Sequence, residues 1–174
     1  MNIMKRSILR VGLFLLLPFA LFYGCHTKRA FLDNPVYAEQ VFAPHFQEFK
    51  VHESRRWHRL GAAAWDCTYA IIGLAETAPA RPPSVEYDVM SDNHPRWFLK
   101  WGVGEWQATP VPPLRDGTRD AVAACEACWA DDVAARIRSA LNTPGSYRIV
   151  GSVGETVYIY SQPQRIAARI RFGD

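Results

Sequence analysis

Apolar positions along this chain fall into three kinds of pattern, and each predicts a different element. An unbroken apolar run, Val11 to Tyr23, follows a basic start with Lys5, Arg6 and Arg10. Further on, apolar residues recur at helical steps of three and four: Val122, Cys125, Trp129, Val133 and Ile137. This spacing predicts one long amphipathic helix from Thr118, as cap, to Leu141, closed by Asn142-Thr143-Pro144-Gly145. Asn34-Pro35 reads as a second helix start, with Val36, Tyr37, Val41 and Phe42 as its stripe; Pro44 interrupts it, and His45 to Lys50 resume with Phe46 and Phe49 inward.

Period-two alternation marks the strands. Trp65, Cys67, Tyr69 and Ile71 alternate with Asp66, Thr68, Ala70 and Ile72, within a β-like stretch from Trp57 to Leu74. Val85 to Met90 predicts a short strand before the turn cluster Ser91 to Pro95, and Arg96 to Thr109 reads as a hairpin turning at Gly102-Val103-Gly104. The last three runs, Tyr147 to Gly151, Glu155 to Ser161 and Arg165 to Phe172, are joined by turn residues and predict an antiparallel meander. In the last run Arg165, Ala167, Arg169 and Arg171 alternate with Ile166, Ala168, Ile170 and Phe172, which assigns one wet and one dry face. The fold class expected is α+β: a mainly antiparallel sheet with a C-terminal three-stranded meander, covered on one side by the long helix and the N-terminal helical segment.

The first apolar run is thirteen residues long, whereas a helix crossing the hydrocarbon core needs about 20. A basic start and a short apolar middle make signal-peptide anatomy; the alternative is a retained anchor from Ile8 to Cys25. Leu21-Phe22-Tyr23-Gly24-Cys25 resembles the box read in bacterial lipoprotein processing. There a small residue precedes a cysteine whose thiol takes a diacylglycerol before the cut. Phe22 and Tyr23 depart from the leucine and small residue usual at those places. The resemblance implies lipid attachment at Cys25. The expected organisation is a signal at 1–24, a tether at 25–34 and a single globular domain at 35–174. Membrane contact would then come through the N-terminus, with the domain in the periplasm or on the outer face of the membrane.

Charge changes the picture by subtraction. The chain carries 20 Lys and Arg against 17 Asp and Glu, but three of those bases and none of the acids lie within residues 1–24. The remainder has no net charge, which removes the electrostatic case for a nucleic-acid partner.

Cys67, Cys125 and Cys128 allow at most one internal disulfide. The expected bridge joins Cys67 to one thiol of the long helix, Cys125 lying nearer the apolar stripe. Cys125-Glu126-Ala127-Cys128 also has the spacing of a redox pair. Glu126, Asp131 and Asp132 supply charge of the wrong sign for a low thiol pKa, however, and zinc would need a fourth ligand. Trp97, Trp101 and Trp106 are candidates for a platform that stacks on sugar rings, the alternative being core packing. Gly151-Ser152-Val153-Gly154 is neither a nucleophile elbow nor a phosphate loop, and the sequence points to no catalytic residue, cofactor or metal. The function expected is a non-enzymatic envelope module that binds another envelope component or packs against a partner protein; the alternatives are a small thiol redox factor using Cys125 and Cys128, and a glycan binder using the aromatic hairpin.

Overall fold

A computed structural model describes residues 35–56, 67–83, 97–111, 120–151 and 154–173, all within one compact unit. The signal, the tether, Cys25, the expected strand at Val85 to Met90, the start of the stretch at Trp57 and the Thr118 cap lie outside the described residues.

Among the described residues the sheet has six antiparallel strands in the order β1-β2-β6-β5-β4-β3. They are β1 (Phe49–Arg55), β2 (Cys67–Leu74), β3 (Gln107–Ala108), β4 (Ser146–Val150), β5 (Thr156–Ser161) and β6 (Ile166–Phe172). The C-terminal meander, β4 to β6, matches the expectation because each run ends at residues able to reverse the chain. Gly154 adopts a positive φ of 76° at the first turn, and Arg165 N–H closes the second on Gln162 O at 3.0 Å. β2 sits beside β6, with Tyr69 opposite Ile170 and Ile71 opposite Ala168.

Two apolar clusters lie on opposite faces of this sheet. On one face Ile71, Val157, Ile159, Ile166 and Ile170 pack against Val122, Cys125, Trp129, Val133 and Ile137. The other gathers Ala70, Ile72, Tyr158, Tyr160 and Ala167 with Tyr37, Val41, Phe42, Phe46 and Trp101. Helical cover on one side only is therefore corrected. The N-terminal helix α1 (Pro35–Phe42) and the C-terminal helices are on opposite faces, so the fold has three layers.

The supposed wet face of β6 is dry along its middle for the same reason. Ala167 is fully buried, and Arg169, inside the second layer, keeps only 1% of its surface exposed. A guanidinium so placed must be given acceptors. Arg169 Nε donates to Lys100 O at 3.0 Å and Nη1 to Tyr37 Oη at 2.9 Å, while Tyr37 Oη donates to Phe98 O at 3.0 Å. Trp101, fully buried, donates Nε1–H to Ala168 O at 3.0 Å. Burial pushes the Tyr37 and Tyr158 phenols up, against the pull of Arg169, so both stay neutral donors.

These contacts explain why Arg96 to Thr109 is not a hairpin. Trp97–Leu99 form a 3₁₀ turn, Trp101 plunges into the core, and only Gln107–Ala108 pair with β4, as the edge strand β3. Trp101 packs edge-on against Phe42 and Phe46, at centroid separations of 5.5 and 5.4 Å. Burying so large an aromatic outweighs the few ladder bonds a hairpin would add.

The long helix is broken as well. α2 (Ala121–Cys125) is capped by Asp120, whose Oδ1 accepts from Val122 N–H at 3.0 Å and Ala123 N–H at 3.2 Å. A 3₁₀ turn, Glu126–Cys128, follows; Trp129 and Ala130 are extended, and α3 (Asp131–Asn142) begins afresh, at 12 residues the longest helix among the described residues. Asp131 and Asp132 occupy its first turn, where acids are favoured by the helix dipole. Ala130 N–H reaches Glu53 Oε1 at 2.5 Å, and the Trp129 ring stands edge-on to Tyr69. All the apolar positions still face the sheet, which is why their spacing mimicked one helix.

At the N-terminal end Val36 is 51% exposed and Ala38 takes its place inward. Ala38 N–H, one of the first-turn donors without a helical partner, is taken by Ser54 Oγ at 3.0 Å. After Pro44 the helix does not resume: Phe49 opens β1, whose polar residues hid an edge strand with a register shift between Val51 and Glu53. His52, at that shift, lies over Gly73, where a Cβ would meet its Nε2 at 2.5 Å. Arg136 Nη1 contacts the same nitrogen at 2.9 Å and carries the proton, so His52 accepts and must be neutral. Arg136 also donates to Gln164 O and Arg165 O, tying α3 to the β5–β6 turn.

Replacing Trp101 by alanine is expected to destabilise the fold by about 3–5 kcal/mol, read as a lower urea midpoint. Burial first, then Arg136 and Lys50, hold the His52 pKa below 6.5 against the opposing pull of Asp132, and burial acts the same way on His45. The unfolded chain therefore binds more protons than the folded one just below pH 6.5, and stability falls on acidification from pH 7 to 5. His52→Gln, which keeps an acceptor for Arg136, should flatten that slope; an unchanged slope would rule out this origin.

Candidate functional site

Two of the domain's three cysteines, Cys67 and Cys125, meet where α2 packs on β2. Cys67 opens β2 on its buried side, and Cys125 closes α2 with no exposed surface. The two are joined in a disulfide, with their Cα atoms 5.4 Å apart and their positions separated by 58 in sequence. A loop of that length stabilises by about 4 kcal/mol in the chain-entropy account. The bridge ties the central sheet to the helical layer inside the first apolar cluster.

Cys128 is free and exposed at the end of the 3₁₀ turn. Arg55 Nη1 lies 3.8 Å from its sulfur, and Tyr69 Oη donates to its carbonyl at 3.3 Å. A redox pair of Cys125 and Cys128 would require the Cys67 bond to be exchanged first. No group of three or more His, Cys, Asp or Glu that could hold a metal occurs among the described residues.

The aromatic candidates separate. Trp101 is a core residue, Trp106 is half-buried against it at a centroid distance of 5.1 Å, and the side chain of Trp97 lies outside the described set. A sugar-stacking platform needs open ring faces. Trp101 has none, because Phe42, Phe46, Tyr160 and Trp106 surround it.

What sequence reasoning missed is a pocket of about 340 Å³ between the C-terminal helices and strands β4 and β5. Val122, Val150 and Val157 supply apolar wall, and Arg148, Arg138 and Glu126 supply charge. Arg138 Nη1 bridges to Glu126 Oε1 at 2.6 Å, which ties the 3₁₀ turn to α3 along one side. Burial lowers the proton affinity of the Arg148 guanidinium, and Asp120, the cap of α2, offsets part of that loss. The volume falls at the small end of the range for ligand pockets, about 300–1,000 Å³. No spacing in the chain announces it, since its walls come from five separate elements: α2, the 3₁₀ turn, α3, β4 and β5.

Alkylating the folded protein before reduction should label Cys128 and leave Cys67 and Cys125 untouched; a second reagent added after reduction in denaturant should find those two. Label on Cys67 in the first step would contradict the bridge. Comparison with protein-family models, with curated proteins and with solved structures finds no match for this chain.

Proposed function

We propose that this chain is an exported envelope protein, held at the membrane by its N-terminus, whose domain is a non-enzymatic binding module. The observation that carries the reading is the Cys67–Cys125 bridge, since disulfides form and persist in oxidising compartments and are rare where glutathione keeps thiols reduced. It agrees with the basic start, short apolar run and Gly24-Cys25 of the N-terminus. Binding rather than catalysis is favoured by the cavity: an apolar wall with a few charged side chains suits a small ligand or a partner side chain. The cavity brings no nucleophile together with a base among the described residues.

Intact mass of the protein isolated from bacterial membranes tests the address and the processing together. The expected product lacks residues 1–24, carries a diacylglycerol increment on Cys25 and contains one disulfide. A full-length chain in the cytosol, with every thiol reduced, would overturn the reading.

A further inference from the structure

Sheet register brings a group of hydroxyl and guanidinium side chains together at the end of the second layer. On β6, Arg171 faces the same side as Arg169, two residues on. Thr68 on β2 and Thr156 on β5 stand directly opposite Arg171, one on either side of it. Residues directly opposite across antiparallel strands share a face. Arg56 follows Arg55 at the end of β1, next to this row, and its guanidinium lies 3.5 Å from the centroid of the Phe98 ring. The row behind it, Ser54, Ala70, Arg169 and Tyr158, is buried beneath α1 and Trp101. Thr68, Arg171, Thr156 and Arg56 are half-buried, beyond the edge of that cover.

We propose that Arg56, Thr68, Arg171 and Thr156 form a binding site for a phosphate-type oxyanion. Two guanidiniums and two hydroxyls offer donors from several directions, which suits an anion with several acceptor oxygens better than a single carbonyl. Arg169, desolvated behind the row and hydrogen-bonded to Tyr37 Oη and Lys100 O, adds a fixed positive charge that water screens weakly. Its repulsion, with burial as the larger cause, lowers the proton affinity of Arg171 and of Arg56. An anion bound between them relieves that repulsion. Glu155 lies beside the row with its Oε2 3.7 Å from Arg171 Nη2, so its carboxylate competes with an incoming anion. A soluble phosphate ester and a lipid phosphate headgroup present the same chemistry to this row. The site needs no assumption about where the chain resides, so its failure would leave the proposed address standing.

The test is isothermal titration of the full chain, purified in uncharged detergent, with inorganic phosphate at an ionic strength held constant with chloride. Saturable binding is expected. Arg171→Gln and Arg56→Gln should each weaken it about tenfold or more, the usual scale for losing a charge-assisted hydrogen bond. Glu155→Gln should tighten it, and Arg81→Gln, an exposed change elsewhere, should leave it unaltered. Should Arg171→Gln fail to fold, Arg56→Gln and Thr156→Val carry the comparison. Co-sedimentation with phosphatidic acid in phosphatidylcholine vesicles, against phosphatidylcholine alone, separates the sources. Row-dependent capture by phosphatidic acid points to a headgroup, and phosphate binding without capture points to a soluble ester. No saturable phosphate binding, or affinity unchanged in both arginine variants, overturns the proposal.

Discussion

A guanidinium held out of water has to be surrounded by acceptors, and in this fold two of the acceptors of Arg169 come from separate stretches of chain. Tyr37 belongs to α1 and Lys100 to the irregular segment after the 3₁₀ turn, yet both converge on one side chain of β6. Phe98 O then takes the Tyr37 proton and Ala168 O takes the indole N–H of Trp101. Removing any one of these partners would leave a polar group stranded in an apolar layer, so the second face of the sheet is organised as a unit. The layer is apolar in bulk and directional at its centre, and the polar part decides where α1 and the Trp101 segment lie.

The opposite face is held differently. There the apolar stripe of α2 and α3 supplies burial, and the Cys67–Cys125 bond fixes α2 to β2 covalently. Arg136 closes the far end by reaching the β5–β6 turn and His52. The two faces thus share the central strands, β2, β5 and β6, whose side chains are buried on both sides along most of their length. Such doubly covered strands lose the clean alternation of polar and apolar residues. β2 shows this in Ala70, Ile71 and Ile72, three consecutive buried positions.

Of the candidate chemistry, the cysteines were legible and the rest was not. Cys67 lies on an alternating strand and Cys125 on an apolar helical stripe, so both were bound for the same interior, and a bridge between them needed only that these elements be adjacent. Cys128 falls off the stripe and is exposed. Trp97, Trp101 and Trp106 carry no spacing that distinguishes a platform from a plug, and Trp101 took the core alternative. The cavity wall and the arginine row are invisible locally, because Arg148, Arg138, Arg56 and Arg171 come from four elements that adjoin only once the sheet is assembled.

Local pattern by itself settled the class of this domain. The meander, α1, β2 and the inward face of the C-terminal helices follow from periodicity and turn residues, which depend on near neighbours along the chain. Only the tertiary structure decided that the sheet is covered on both faces, that Arg169 is interior, and that the long stripe is broken at Trp129 and Ala130. Each of these depends on contacts between residues far apart in sequence: Tyr37 with Arg169, Trp101 with Ala168, Glu53 with Ala130. A polar residue on an alternating strand reads as solvent-facing until a partner from elsewhere supplies the hydrogen bonds that water would have made.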